Sequence, residues 1–496
     1  MWYSLLLALL APAADSAGVD EPVTFNRQIA PILWKHCVSC HRPGEIGPFS
    51  LLTYKDAAKR ADFLASVTAE RSMPPWKPAA NYGHFVGERR LSQEEIDLIS
   101  RWAKAGALEG SAKFAQPPPK FVSGWQLGEP DLILQMPKPY KISGKATDLN
   151  LVFLIPKPFQ QDADISHIEL RPGNPKVVHH ALVLLDRTGK TKSIADRNEY
   201  GYPVFDGPGI QVTGALGFWS PAKTVTPLPP GIGRHVTKND DVILQIHYHP
   251  NGKDEEDRTQ VGIYFTKTPA LKKATGLGLR TKNIDIPAGK KDHQSRISML
   301  VPADCHALEI APHMHYLGRE MKTWVETPDG KEIPLVWIKD WDFNWQGSYS
   351  FAKPIALPKN SRIISVVTYD NSEDNPNNPN TPPKRITWGE GTKDEMHMCP
   401  VLVYPDNPAD LAALIRISFL QDGGLAGMQA ASANVRTSDL IPPGGIAIPE
   451  NSPGLRWMFD KNKDGKFTAE EIDAMPVLVR NKVKDFLQKK QAGKKP

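Results

Sequence analysis

The sequence predicts a mainly β protein. Two antiparallel β-sandwich domains, jelly-roll-like, are preceded by a small α-helical domain and followed by a short helical segment. Three observations lead there. The 46 prolines and 37 glycines among 496 residues call for many turns. From Pro130 onward, short apolar runs recur between Gly, Pro, Asn and Asp, with no sustained helical period. The length itself calls for several domains. A composition of 40% hydrophobic and 23% charged residues is that of a globular chain. A net charge of +5 over this length gives no concentrated basic face, so nucleic acid is not an expected partner.

Taken in order, residues 1–17 read as a signal peptide, with an apolar run from Trp2 to Leu10 and small residues at Ala13 or Ala17 for cleavage. The run is too short to span a bilayer, and no later stretch is long enough, so no integral membrane segment is expected. The expected location is periplasmic or secreted. Residues 20–112 form the helical domain. Phe25 to Leu33 leads as a helix into Cys37-Val38-Ser39-Cys40-His41. Cys-x-x-Cys-His attaches haem c: both thiols add to the vinyl groups, and the histidine becomes the proximal ligand. Met73, in Ser72-Met73-Pro74-Pro75, is the expected sixth ligand, a thioether on a proline-stiffened loop. Leu91-Ser92-Gln93-Glu94-Glu95-Ile96 opens a helix with Ser92 as N-cap, closed at Gly106. This segment resembles a class I c-type cytochrome. His36 and His84 are read as surface residues rather than rival iron ligands.

Pro117-Pro118-Pro119 marks a linker, residues 113–125. The strand-like runs then include Asp131–Gln135, Asn150–Ile155, His167–Leu170 and Asp241–Leu244, and the pattern renews at Arg296–Leu300. They divide into sandwiches at 126–270 and 271–425. A second linker, 426–454, leads to a terminal segment, 455–488. There Asp460, Asn462, Asp464, Gly465 and Glu471 match the EF-hand calcium loop D-x-N-x-D-G-x5-E. Asp460, Asn462, Asp464 and Thr468 offer side-chain oxygens, Lys466 its carbonyl, and Glu471 a bidentate carboxylate. Such loops usually pair, and only one is present, so it is expected to pair with another chain or act as a clip.

Seven of the 14 histidines fall in four segments: Val178-His179-His180-Ala181, Gln245-Ile246-His247-Tyr248-His249, Pro312-His313-Met314-His315-Tyr316-Leu317-Gly318, and Asp394-Glu395-Met396-His397-Met398-Cys399. His-x-His places two rings on one face of an extended segment, which is ligand spacing. Adjacent histidines on a strand point to opposite faces, so the His179-His180 pair needs a local reason. Zinc favours three histidines with water or carboxylate, whereas methionine beside imidazole points to copper cycling between Cu(I) and Cu(II).

These segments are similar to those of the type II copper monooxygenases, the peptidylglycine α-hydroxylating and dopamine β-monooxygenase family, over residues 125 to 420. The resemblance implies two coppers. One is held by His179, His180 and His247 and stores an electron. The other is held by His313, His315 and Met396 and is the O2 site, where a C–H bond of a small organic substrate is hydroxylated. It further implies one copper per sandwich, facing across a cleft, with Gln245 between the metals. The sequence departs from the peptide-hydroxylating members at Ala311, where they carry an arginine for the substrate carboxylate, and at Met398 and Pro400. A peptidylglycine substrate is therefore not expected. His249, His397 and Met398 are left as outer groups or alternative ligands.

The remaining cysteines, Cys305 and Cys399, form either a disulfide near the second copper or two buried thiols. A haem on the same chain would supply electrons at high effective concentration, in place of or beside an ascorbate-like reductant or a redox protein. The alternative is a periplasmic copper-binding or electron-transfer protein without hydroxylase activity.

Overall fold

The computed structural model describes residues 21–122, 124–204, 208–210, 212–220, 225–420, 445–447, 460, 462–473 and 483. The signal-peptide segment, most of the second linker, residues 455–459 and nearly all of residues 474–496 lie outside the described residues. The protein is mainly β, built from several antiparallel sheets with few helices. It divides into two compact units: residues 1–76 with 89–121, and residues 77–88 with 122–496.

The first unit is helical. A π-helical turn (Phe25–Ile29) runs into an α-helix (Ala30–His36), and helices Tyr54–Ala58, Ala61–Ala69 and Gln93–Lys104 follow. The last begins where the sequence places it. Ser92 Oγ accepts from Glu95 N–H, and the Glu95 carboxylate accepts from Ser92 N–H, so two otherwise orphaned donors are satisfied. Ile96, Ile99 and Trp102 lie on its buried face and join Ile29, Leu33, Val38 and Leu51 in one core. His36 is not a surface residue. It is 3% exposed, and its Nε2 meets Glu95 Oε1 at 3.1 Å, closing the start of that helix against the first one. His84 is exposed, as expected.

In the second unit, two five-stranded sheets bury a common core. One runs in the order Leu132–Gln135, Gln260–Phe265, Ala163–Arg171, Ile232–Val236, Lys272–Lys273. The other runs Tyr202–Pro203, Leu149–Ile155, Asp241–Tyr248, Val178–Asp186, Gly214–Trp219. Alternate residues of each point inward: Leu134, Ile165, Val261 and Ile263 from one, Leu151, Phe153, Ala181, Val183, Leu244 and Ile246 from the other. Each of the Leu, Ile, Val and Phe side chains among them contributes about 1.5–3 kcal/mol on burial, which makes the central strands rigid supports. Asp241–Tyr248 is buried along its whole length.

Two four-stranded sheets follow. One is ordered Thr275–Leu277, Val401–Pro405, Cys305–Ile310, Tyr349–Leu357; the other His293–Leu300, Arg362–Tyr369, Gly318–Glu326, Glu332–Ile338. Residues 77–88 lie along this part of the unit: Ala79 N–H donates to Trp337 O, Val86 N–H to Ser350 O, and Phe85 stacks on Phe351. The helix Leu411–Leu420 has no counterpart in the sequence reading; Ser418 Oγ in it accepts from Gly278 N–H.

Cys305 and Cys399 are free thiols. Cys305 sits opposite Pro405, while the other end of the same ladder pairs Ile310 with Val401. Cys399 precedes Val401, so the two sulfurs belong to opposite ends of a strand pair several residues long. A disulfide needs Cα atoms within about 7 Å. Burial pushes both thiols up to about 12, and Cys399 Sγ is met by Thr323 Oγ1.

Candidate metal centre

The strand Val178–Asp186 explains how two adjacent histidines share a face. Its ladder with Asp241–Tyr248 pairs Val178 with Tyr248 and His180 with His247, leaving His179 as one extra residue. This β-bulge rotates the chain locally and re-aims a side chain. The result is a triad: ligand atoms of His179, His180 and His247 all lie within 4.8 Å of one another. The inward atoms are the Nδ1 nitrogens, His179 to His247 at 3.4 Å and His180 to His179 at 3.2 Å. Nitrogens about 2.0 Å from one metal ion lie at such separations from each other. Two of these imidazoles, His179 and His180, are held neutral. Desolvation pulls His179 down to about 4 and His180 well below its ordinary value, with the neighbouring rings adding to both. Neutral imidazole is the ligand form.

Asp148 stands behind the triad. Its carboxylate meets His249 Nδ1 at 2.8 Å and lies 3.8 Å from His247 Nε2. Burial works against its charge, but the two imidazoles outweigh it and hold Asp148 well below the usual carboxylate range. A carboxylate behind a ligating histidine orients the ring and raises its basicity. His249 is thus a brace for Asp148, exposed to solvent, and only His247 of that His-x-His pair joins the triad.

His313 and His315 lie in the loop between Cys305–Ile310 and Gly318–Glu326, their ring centres 5.2 Å apart. His313 Nδ1 meets Gln346 Oε1, and Gln346 Nε2 donates in turn to Phe343 O. His315 Nδ1 meets Asp394 O at 3.0 Å. Both Nδ1 atoms are therefore committed, which leaves Nε2 as the ligand atom on each ring. Burial draws His313 down to about 3 and His315 to about 4. Gly318 is required here: a Cβ would come within 2.8 Å of Trp341 Cδ1 and 3.0 Å of Met314.

Glu395, which sequence reasoning passed over, organises this second set. It is fully buried, and its carboxylate accepts from the N–H groups of His315 (2.9 Å), Leu317 (2.6 Å) and Met396 (3.2 Å), with Gly318 as a further donor. The His-x-His loop and the methionine segment are thereby fastened together. Burial pushes Glu395 up to about 8 against those donors. His313 also pairs through its backbone with Met398, and Met396 is buried beside this junction. His397 is excluded as a ligand: its Nδ1 meets Ser295 Oγ at 3.1 Å and its Nε2 meets Ser365 Oγ at 3.0 Å.

The two sets abut instead of facing each other across an open cleft. The rings of His180 and His313 are 6.3 Å apart. Phe343 stands between the sets, 5.4 Å from His179 and 5.8 Å from His315. Gln245 points into the same sheet face and donates to Asn150.

In the first unit, His41 Nδ1 meets Phe49 O at 3.1 Å, and the two rings lie tilted at 34° with centres 4.6 Å apart. Nε2 is left available, as a proximal iron ligand requires. Gly47 permits this, since a Cβ there would stand 2.8 Å from His41 Nδ1. Burial lowers the His41 pKa. Cys37 is half-buried and its thiol is pushed up to about 12, chiefly by desolvation. Met73 precedes Pro74 on the loop after helix Ala61–Ala69.

In the terminal segment, the loop has the turn that calcium loops need. Gly465 has φ +80°, and its N–H donates to Asp460 Oδ2 at 3.0 Å. Asp464 N–H donates to Asn462 Oδ1, and Glu471 Oε2 accepts from Thr468 N–H. Lys466–Phe467 pairs antiparallel with Ile446–Ala447, so the ladder that a second calcium loop would supply comes from within this chain.

No protein-family model matches the chain, and no curated protein matches it. Among solved structures, the major capsid protein P2 from bacteriophage PM2 aligns over 52% of this chain and 97% of its own, at 11% identity and TM-score 0.22. The infectious bursal disease virus VP2 subviral particle aligns over 58% and 74%, at 10% identity and TM-score 0.18. Scores this low establish no shared fold.

Proposed function

We propose that the chain is a copper-dependent monooxygenase that hydroxylates a C–H bond of a small organic substrate with O2. In this reading the facing five-stranded sheets and the two four-stranded sheets are two β-sandwich domains of the type II copper monooxygenase kind. The helical unit is a class I cytochrome c domain, and the terminal segment is an EF-hand. The protein works in the periplasm or is secreted.

His179, His180 and His247 would hold one copper through Nδ1. His313, His315 and Met396 would hold the other through Nε2 and a thioether. Copper bound at such sites supplies one-electron redox chemistry and reaction with O2. This chain's own residues supply the rest. Asp148, Gln346 and the Asp394 carbonyl fix ring orientation before any metal arrives, so little ordering remains to be done on binding. Desolvation keeps His179, His180, His313 and His315 neutral and removes the proton competition an exposed site would suffer. Phe343 fills the space between the sets and keeps water from it. Cys37, Cys40, His41 and Met73 would hold a covalent haem c, which would supply one-electron transfer, alone or beside an ascorbate-like donor. Asp460, Asn462, Asp464, Lys466, Thr468 and Glu471 would hold Ca²⁺.

The observation that carries this reading is the bulge at His179. It brings three Nδ1 atoms together beside a second His-x-His set whose ring nitrogens are oriented the other way. A copper-binding electron carrier without hydroxylase activity is the competing reading. Substrate-dependent O2 uptake by the copper-loaded, reduced protein separates the two. The monooxygenase yields a hydroxylated product carrying label from ¹⁸O2; an electron carrier consumes O2 without product.

A further inference from the structure

A cleft of about 330 Å³ opens in the second unit, and no histidine of either set lines it. Its volume lies in the range of small-molecule sites and holds roughly ten water-sized groups. Its walls are apolar, with Leu216, Phe218, Leu228 and Leu308 among them, and prolines 227, 229 and 230 stiffen its rim.

Two features mark it as built. Three strands that line it are each bulged at the point where they meet it. Ser166 is the extra residue beside His167, Leu216 the extra residue beside Gly217, and Leu308 the extra residue beside Glu309. Bulges recur at binding sites because they re-aim side chains. The second feature is its polar content. Arg234 lines the cleft, and its buried Nε has no hydrogen-bond partner among the described residues. His167 Nε2 is likewise buried without one. A buried polar atom left without a partner costs about 1–3 kcal/mol and more when charged, so one donor and one acceptor unsatisfied in one cleft point to a missing ligand. Glu309 is the one charge that supports the guanidinium against burial, and it is already engaged by Ser350 Oγ. The Ser166 hydroxyl donates to Tyr264 O and so accepts from His167 Nδ1–H, which leaves Nε2 as an acceptor.

We propose that this cleft binds an apolar carboxylic acid, with its carboxylate on Arg234 and its chain or ring among Leu216, Phe218 and Leu228. Phe218 also stands 5.8 Å from His180, so an occupant lies one side chain from the histidine triad. The site does not depend on the copper reading, because its walls and its arginine are independent of the metal ligands.

Calorimetric titration of the full chain with octanoate and with 1-octanol, metal-free and copper-loaded, tests it. The expected result is one-site binding of octanoate at least tenfold tighter than 1-octanol in both forms. Arg234→Gln removes that preference and Leu228→Trp abolishes binding of both, with circular dichroism and Tm checking that each variant folds. A diazirine-bearing octanoate analogue on the wild type keeps the test independent of those variants: it labels peptides containing Leu216 to Arg234. No saturable octanoate binding, equal affinity for the alcohol, an unchanged affinity in folded Arg234→Gln, or labelling elsewhere overturns the proposal.

Discussion

Glu395 ties two segments whose side chains never need to touch each other. Its carboxylate spends its lone pairs on backbone N–H groups of His315, Leu317 and Met396. Glu395→Ala strands those buried donors, at a cost on the order of 3 kcal/mol or more. A fall in the denaturation midpoint together with weaker copper retention is expected. Glu395→Gln, which keeps an acceptor oxygen, is expected to lose less. The sequence displays Met396 as a candidate ligand and hides Glu395, because backbone partners some eighty residues away leave no pattern. The imidazoles make a second prediction at this scale. His179, His313 and His315 titrate near 4, 3 and 4 when folded, because burial disfavours their charged forms, and near 6.5 when unfolded. A depressed folded pKa means stability that is full above pH 6.5 and lost as pH falls toward 4. The metal-free protein should show a Tm that is flat above pH 7 and falls steeply from 6.5 to 4.5. His313→Ala with His315→Ala should flatten that fall.

At the scale of elements, the decisive feature is a single extra residue in Val178–Asp186. The sequence shows His-His and the strand around it, and raises the question of how both rings reach one face. A bulge is defined only against its partner strand, so no reading of one segment supplies the answer. The capped helix Gln93–Lys104 is the opposite case: Ser92, Glu95 and the spacing of Ile96, Ile99 and Trp102 are local signals, and the structure follows them. The sharp turn at Gly465 was legible for the same reason, its signal being local. The ladder partner of Lys466–Phe467, Ile446–Ala447, was not. Calcium should raise protection of residues 460–473 against limited proteolysis. Glu471→Gln should weaken Ca²⁺ binding by roughly tenfold or more, since it removes a charge from the bidentate position. Protection that is equal with calcium and with chelator contradicts the assignment.

For the molecule as a whole, the helical unit and the β unit have separate hydrophobic cores. Each should therefore load its own cofactor without the other. Cys37→Ser with Cys40→Ser is expected to abolish covalent haem, read by the pyridine haemochrome spectrum, while copper content stays at the wild-type value. The expected order of domains rests on signals that differ in kind: a haem-attachment motif, alternating strands and a calcium-loop motif. The adjacency of the histidine sets, with His180 and His313 at 6.3 Å, was not readable, because it is a product of packing between segments over a hundred residues apart. Copper quantitation on purified, metal-reconstituted protein tests the central claim most directly. Two coppers per wild-type chain are expected, falling to one in His179→Ala with His180→Ala and to a weakened second site in Met396→Ile. Wild-type protein that binds no copper above background, or that binds the same amount after both triad histidines are removed, contradicts the account.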